Sequence, residues 1–125
     1  MVLSVLLLVL MLQIKHLFFD FFWQSNWMAT HKGTYGHPAG LVHAGLHGFG
    51  TGLVLMVVPV PIGLGAIAAL SLAETVLHYH IDWVKSRVTR RAGVDASQKR
   101  FWVITGTDQA LHQATYLAIA GLVFS

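Results

Sequence analysis

The sequence predicts an all-α integral membrane protein that forms one four-helix bundle with both termini on the non-cytoplasmic side. Three observations lead to this fold class. Of the 125 residues, 55% are hydrophobic and only 10% are charged, whereas soluble domains carry roughly a quarter charged residues. Four apolar segments are each long enough for a membrane-crossing helix. Each of these segments also carries a pair of ionisable side chains, which few transmembrane helices do.

The first helix is expected at about residues 2–23, because the apolar run that begins at Val2 can continue for the roughly 30 Å of a bilayer core. A cleavable signal peptide is the competing interpretation. However, no Lys or Arg precedes the run and no small-residue cleavage motif follows it. Residues 25–38, which include Trp27 and Pro38, suit an interfacial loop with an aromatic anchor and a proline in the first turn of the next helix.

The second helix is expected at about residues 39–58 and is rich in glycine. Gly48 and Gly52 have the spacing that lets transmembrane backbones approach each other closely. Pro59 and Pro61 cannot continue a helix, and no charge lies near them. They therefore predict a short turn on one face of the membrane.

The third helix is expected at about residues 62–87 and the last at about 107–124, with a basic, polar connection at 88–100. Residues 97–105 suit either an interfacial segment or the start of the last span. Because the cytoplasmic loops of membrane proteins are enriched in Lys and Arg, we predict that the basic connection is cytoplasmic. Four spans within the single domain, residues 1–125, then place both termini on the opposite side.

The ionisable pairs have a spacing of four residues, which places both members of a pair on one face of a helix. Ionisable groups at membrane depth are costly unless they face a partner, a cavity or an ion. In the predicted topology all four pairs lie at a similar depth, in the cytoplasmic half of the bundle. The pairs are His16 and Asp20, His43 and His47, His78 and Asp82, and Asp108 and His112.

Imidazoles and carboxylates from all four helices predict a metal centre. Eight donors exceed the four of a closed zinc site, so we expect a divalent transition metal and up to two ions, with a bridging Asp. The chain has no cysteine, and a mixed His and Asp set fits Zn, Fe or Mn without distinguishing them. Ion pairing within single helices is the alternative. It explains three pairs but not His43 with His47, because two imidazoles do not satisfy each other.

Three more ionisable side chains lie near this set. Glu74 is one helical turn from His78 and could be a further ligand, a hydrogen-bond acceptor for an imidazole, or the catalytic general base. Lys32 and Lys85 lie at the predicted cytoplasmic rim. There, either lysine could bind an anionic substrate group such as a phosphate, or extend its ammonium group to water.

The order of these residues resembles a small membrane family of bacteria and phages, known as domain of unknown function 3307 (DUF3307). The resemblance covers nearly the whole chain and implies a four-helix protein of the bacterial inner membrane, but no established activity. More distantly, the pattern is similar to membrane-bound metal-dependent hydrolases that bacteria induce after DNA damage. The segments that carry the resemblance are 16–24, 27–29 with Lys32, 43–47, 78–85 and 108–112.

Three classes of function remain open. The first is a metal-dependent hydrolase whose site opens to the cytoplasmic face and acts on a phosphoester, amide or ester bond of a membrane-associated anionic substrate. The second is a redox module that holds haem b between two histidines. The third is a non-catalytic accessory subunit with partner subunits in the bilayer. Ion transport is disfavoured, because so many ligands would hold an ion tightly. No nucleic acid partner is expected, because the basic residues cluster in one connection.

Overall fold

The computed structural model describes all residues, 1–125, and consists of helices joined by turns. The all-α prediction is confirmed, since the chain contains no strand. The α-helices are α1 (Val2–Leu17), α2 (Asn26–His31), α3 (Pro38–Val57), α4 (Leu64–Ala92) and α5 (Lys99–Phe124).

The four long helices form an up-and-down bundle. α1 packs against α3 and α5, and α4 packs against the same two helices, so that α1 lies diagonally opposite α4. This order follows from the connections, because short connections make consecutive helices antiparallel neighbours. The short helix α2 packs against α3 at one end of the bundle.

Several helices begin or end at residues other than those expected, because of local capping interactions. The segment expected as an interfacial loop contains α2, which begins where Ser25 Oγ accepts a hydrogen bond from Met28 N–H at 3.3 Å. α4 continues to Ala92 rather than ending near residue 87. It stops where Gly93 adopts a left-handed conformation, with φ of 61°, which glycine tolerates without strain.

The basic connection is shorter than expected, because α5 begins at Lys99 rather than near residue 107. Residues 97–105 therefore belong largely to the last helix. A compact turn precedes α5, in which Asp95 Oδ1 accepts hydrogen bonds from the N–H and the hydroxyl of Ser97 at 2.8 and 2.6 Å. These hydrogen bonds hold the pKa of Asp95 below its usual range.

α1 continues into one π-helical turn, Phe18–Phe22. Its hydrogen-bond pattern is closed by Trp23 N–H, which donates to Phe18 O at 2.8 Å. A π turn accommodates one extra residue and often occurs at functional sites. Here it carries the buried carboxylate of Asp20.

The outer surface of the bundle is apolar and its interior holds polar side chains, the reverse of a soluble protein. On α1, for example, Leu3 and Leu6 are 79% and 62% exposed. This distribution is typical of a protein surrounded by lipid. The buried polar and charged side chains are Lys15, His16, Asp20, His43, His47, Thr51, Glu74, His78, Asp82, Asp108 and His112.

Three helical segments are long and apolar enough to cross a membrane: Val2–Phe22, Pro38–Val57 and Leu64–Ala92. We expected four such segments, and the chain contains three. α5 is long enough, at 26 residues, but residues such as Asp108 and His112 make it more polar. By length and composition, α5 does not qualify.

A hydrophobic core fills the end of the bundle that contains the turn between α3 and α4. This core separates the polar half of the interior from that end. Its members include Leu8, Leu12, Val54, Leu55, Val58, Ile67, Ile119, Ala120 and Val123.

Gly48 lets α3 pack directly on α4. A Cβ atom at this position would overlap Thr75 Oγ1 and would lie 2.6 Å from the carbonyl oxygen of Ser71. A Cβ atom at Gly52, the second glycine of the same spacing, would lie 3.0 Å from Ser71 Oγ. The close approach that this spacing predicts is therefore made within the chain, between α3 and α4.

Replacing Gly48 with Ala should destabilise the fold by about 1–3 kcal/mol, because the added methyl group meets the backbone of α4. Gly45→Ala is the matched control, since no atom lies within 4 Å of a Cβ at that position. Thermal unfolding in detergent, followed by circular dichroism, measures both variants. Equal stability of the two variants would contradict the close packing of α3 on α4.

Candidate metal centre

All eight residues of the four predicted pairs meet inside the polar half of the bundle. None of them is more than 6% exposed. α1 with its π turn supplies one pair, and α3, α4 and α5 supply one pair each, so four separate helices fix the positions of the donors. The structure thus brings the pairs together; their role as metal ligands stays a prediction. We call these eight residues the His/Asp cluster: His16, Asp20, His43, His47, His78, Asp82, Asp108 and His112.

One group of donor atoms surrounds Asp20. Its Oδ1 lies 3.0 Å from His43 Nε2, 3.2 Å from His47 Nε2 and 3.9 Å from His78 Nε2. The Nε2 atoms of His43 and His78 are 3.2 Å apart. The donors of this group all lie within 4.8 Å of one another, which is compact enough for a single ion.

A second group consists of Asp82, Asp108 and His112, whose donor atoms also lie within 4.8 Å of one another. His112 Nε2 is 3.5 Å from Asp82 Oδ1 and 3.6 Å from Asp108 Oδ1. The other oxygen of Asp82, Oδ2, lies 3.2 Å from His43 Nε2 in the first group. Asp82 therefore contacts both groups, as a bridging carboxylate would.

His16 and Gln109 tie the two groups together. His16 Nε2 lies 3.2 Å from Asp20 Oδ2 and 3.2 Å from Gln109 Oε1. The amide group of Gln109 also donates to Asp108 Oδ2 at 3.1 Å. On its other side, His16 Nδ1 is 2.8 Å from the hydroxyl of Tyr116, so both ring nitrogens have partners.

Hydrogen bonding alone does not account for the surroundings of His43. Its Nε2 has four polar neighbours at 3.0–3.2 Å, from Lys32, His78, Asp20 and Asp82. One ring nitrogen carries a single proton or a single lone pair. Donor atoms bound to a common ion at about 2.0–2.1 Å lie roughly 2.9–3.4 Å apart, and the distances from His43 Nε2 to Asp20, His78 and Asp82 match that spacing.

Several buried atoms of the His/Asp cluster have polar neighbours but form no hydrogen bond of suitable geometry with them. Leaving such an atom unsatisfied costs about 1–3 kcal/mol, and more when the group is charged. A cation shared by these atoms would satisfy them together. They include Asp20 Oδ1, His47 Nε2, Asp82 Oδ2, Asp108 Oδ1 and His112 Nε2.

Lys32 follows α2 and places its ammonium group against the cluster. Its Nζ is 3.1 Å from Asp82 Oδ2 and 3.7 Å from Asp20 Oδ1. Burial lowers the pKa of Lys32, but the carboxylates of Asp82 and Asp20 outweigh burial, so that its pKa lies above that of an ordinary lysine. Lys32 therefore places an ammonium group at the edge of the cluster.

The loop that follows Lys32 is fastened to α4 at two points. Gly36 N–H donates to the hydroxyl of Tyr79 at 2.6 Å, and the guanidinium group of Arg90 donates to the carbonyl of Gly33 at 3.1 Å. Gly33 also lacks room for a side chain, because a Cβ atom there would overlap Ser86. These contacts hold Lys32 over the cluster.

A buried ion pair lies one helical turn from the cluster, toward the hydrophobic core. Lys15 Nζ is 2.5 Å from Glu74 Oε1, and the side chains of these two residues are 6% and 1% exposed. Thr51 donates to the other oxygen of Glu74. Lys15 Nζ also lies 3.3 Å from the hydroxyl of Tyr116, which links this layer to the cluster through His16.

Two of the residues with expected roles have other neighbours than the cluster. Both oxygens of Glu74 are engaged by Lys15 and Thr51, and its role as a ligand, an acceptor for an imidazole or a general base stays a prediction. Lys85 lies outside the cluster, with Nζ 5.9 Å from the centre of the Phe101 ring. Of the two lysines expected to bind substrate, Lys32 alone contacts the cluster.

Lys15, Thr51 and Tyr116 form a buried polar layer with Glu74, which we call the Lys15 layer. These three residues were not predicted, although the spacing of Thr51 and Tyr116 contains a signal. Thr51 lies four positions after His47, and Tyr116 lies four positions after His112. On a helix, this spacing continues the inward-facing stripe by one turn. A second buried polar layer could therefore have been inferred. By contrast, nothing in the sequence indicates that Glu74 forms an ion pair with Lys15.

Fold and cluster together define a helical protein with an apolar exterior and a buried set of His and Asp side chains. The chain belongs to the DUF3307 family, described as a protein of unknown function, which matches residues 6–125. The resemblance stated from the motifs is thereby confirmed. The match includes every residue of the His/Asp cluster and the Lys15 layer. No match was found among curated proteins or among solved structures.

Replacing Lys15 with Met should destabilise the fold by about 3–5 kcal/mol, because it leaves the buried carboxylate of Glu74 without its cation. The double variant Lys15→Met, Glu74→Leu should recover much of this loss. Lys85→Met serves as the control, because Lys85 forms no ion pair. Thermal unfolding in detergent measures all three variants. A Lys15→Met variant as stable as the control would contradict a structural ion pair.

Proposed function

We propose that this chain is an integral membrane metalloprotein with two divalent transition metal ions, and that it acts as a metal-dependent hydrolase. The observation that carries the proposal is the convergence of imidazole nitrogens on buried carboxylate oxygens at 3.0–3.9 Å, as described for Asp20. Donors from four helices would hold the ions without help from any other chain.

In this proposal each ion has its own group of ligands. Asp20, His43 and His47 would hold the first ion and Asp108 and His112 the second, and Asp82 lies close to both groups. His16 and His78 lie close to both groups and complete the set. Zn, Fe and Mn all suit nitrogen and oxygen donors of this kind.

The balance of charge favours metal over ion pairing within the protein. Three carboxylates, from Asp20, Asp82 and Asp108, lie in the buried cluster, and Lys32 is the one lysine or arginine in contact with them. Uncompensated charge in a medium of low dielectric constant is strongly unfavourable. With Lys32, these carboxylates leave two negative charges, which one divalent cation would balance. A second cation would need a further anion, such as an anionic substrate group, and both ions would also coordinate the imidazoles.

The packing of the imidazole rings argues against haem b. A porphyrin needs a flat space between its two axial ligands. The ring centroids of His47 and His78 are 3.6 Å apart, and those of His78 and His112 are 4.2 Å apart. These rings pack on one another and leave no layer for a macrocycle between them.

Hydrolysis is the chemistry that this donor set favours. A bound metal ion would act as a Lewis acid and bring the pKa of water close to neutrality. Lys32 lies at the edge of the cluster, and its ammonium group suits either an anionic substrate group or the negative charge that develops on oxygen in the transition state. The surrounding helices keep bulk water away and so strengthen both interactions.

We further propose that all four long helices cross the bacterial inner membrane, with the connection between α4 and α5 in the cytoplasm. The polarity of α5 is directed inward, where Asp108, His112 and Tyr116 are buried. Its outer face is mostly apolar, with Leu117 and Leu122 61% and 65% exposed. Such a helix suits a lipid environment even though its average composition is polar.

The wild-type protein, extracted in mild detergent, should contain about two equivalents of a transition metal, as expected for two ligand groups. His47→Ala should lose at least one equivalent together with hydrolytic activity, because His47 is fully buried against Asp20. His80→Ala is the control, since His80 is exposed and lies outside the cluster. Elemental analysis by mass spectrometry measures the metal content. The release of p-nitrophenol from p-nitrophenyl phosphate measures phosphoester hydrolysis.

Full metal content in the His47→Ala variant would remove His47 from the ligand set. Wild-type protein without any transition metal would overturn the metal centre as a whole. If such protein also came with a stoichiometric partner subunit, the accessory-subunit alternative would replace the hydrolase.

The topology can be tested with single cysteines, because the chain has none of its own. A membrane-impermeant thiol reagent added to intact spheroplasts should label Ser125→Cys, whereas Ala96→Cys should react only after the membrane is opened. Ala96 lies in the basic connection and Ser125 follows α5, so the proposed crossing of α5 separates them. Equal labelling of both positions in intact spheroplasts would contradict a transmembrane α5.

A further inference from the structure

A groove between α4 and α5 opens on the outer surface of the bundle beside the His/Asp cluster. Its volume is about 170 Å³, and its walls are mostly apolar. Ile81 and Val84 line it from α4, and Ile104 and Leu111 line it from α5. In the proposed orientation this groove faces the acyl chains of the membrane.

The groove reaches the candidate metal centre through Asp108, which belongs to its lining. Asp108 is 6% exposed, and its Oδ1 has no hydrogen-bond partner. The same oxygen lies 3.6 Å from His112 Nε2, within the second ligand group. A molecule in the groove would therefore be next to a proposed metal ligand without having to cross the bundle.

A lysine without an ion-pair partner also lines the groove. Lys15 is paired with Glu74, and Lys32 is paired with Asp20 and Asp82. Lys85, the third lysine along the chain, has no carboxylate within 4.0 Å of its ammonium group. It lines the groove and has the Phe101 ring as its neighbour. It is free to bind an anion there.

Charge and apolar walls are arranged in order along the groove. α4 and α5 are antiparallel and joined by residues 93–98, so residues close to that connection lie at the same end. Val88 and Val103 lie at the end near the connection, Lys85 comes next, and Ile81 and Leu111 lie deeper. A cation above an apolar slot matches an amphiphile with an anionic head group and a hydrocarbon tail.

We propose that this groove binds an anionic phospholipid and presents it to the metal centre as substrate, an inference that rests on the proposed hydrolase function. The phosphate lies between Lys85 and Asp108, and one acyl chain lies along Ile81 and Leu111. In the reaction, the hydroxyl group of water joins phosphorus and one phosphorus–oxygen ester bond breaks. The remaining proton of water goes to the leaving oxygen, so no other reactant is needed.

A second groove provides an internal comparison. It lies between α3 and α4, has a larger volume of about 440 Å³, and is lined by residues such as Gly52, Ala68 and Leu72. No charged residue and no member of the His/Asp cluster lines it. It therefore offers space for an acyl chain but nothing that selects a phosphate.

The experiment uses the full chain in lipid nanodiscs that contain a phosphatidic acid with a photoactivatable diazirine in its acyl chain. A phosphatidylcholine with the same labelled chain is the uncharged-head-group comparison. After illumination, peptide mass spectrometry locates the crosslinks. Phosphatidic acid should label the segments around Ile81 and Leu111 about fivefold more than phosphatidylcholine, which is the effect of one lysine on an anionic lipid.

Three variants test the groove. Val84→Trp fills the groove between α4 and α5 and should abolish this labelling, whereas Ala68→Trp fills the other groove and should not reduce it. Lys85→Gln should remove the preference for phosphatidic acid while leaving the metal content unchanged. Equal labelling by the two lipids in the wild type, or labelling that Val84→Trp does not reduce, would overturn the proposal.

Measuring the metal content of the same samples separates this inference from the proposed function. Two equivalents of metal with equal labelling by the two lipids would overturn the lipid site and leave the metal centre standing. Selective labelling that depends on Lys85, in protein without metal, would support the lipid site and reject the hydrolase.

Discussion

The structure depends on one constraint: ionisable side chains buried in an apolar bundle must be compensated by other charges or by an ion. The His and Asp pairs have contacts within their own helices and also across helices. His43 and His47 illustrate the point, because neither imidazole can neutralise the other, and both approach Asp20 on the π turn of the first helix. The apolar exterior and the order of the helices allow these side chains to meet in the interior.

Polarity is graded along the axis of the bundle. A hydrophobic core occupies one end, the Lys15–Glu74 pair comes next, the His/Asp cluster follows, and Lys32 closes the series. The Lys15 layer is neutral overall and holds His16 through Tyr116. The Lys15 layer therefore provides fixed neighbours for the cluster on the side of the hydrophobic core. Binding and catalytic sites need such neighbours to hold their side chains in position.

Much of the site could be predicted from the sequence, because the period of a helix converts a spacing of four residues into a shared face. Gly48 likewise indicated a close helix contact, which the structure assigns to α4. Other features depend on information that spacing does not carry. The partner of Glu74 is set by the axial position of α1 relative to α4, and the π turn at Phe18–Phe22 leaves no mark in the sequence pattern. The length of α5 follows from the turn that starts it.

The fastening of the loop after Lys32 has a kinetic consequence. An ion approaching from the aqueous side meets the Lys32 ammonium and a backbone held by Tyr79 and Arg90. Passage of an ion by this route would require these contacts to open, and opening of this kind is a rare local fluctuation rather than a continuous leak. A cation once enclosed would exchange slowly with its surroundings. Its identity would then record which metal was abundant when the chain assembled, rather than which one binds most strongly at equilibrium.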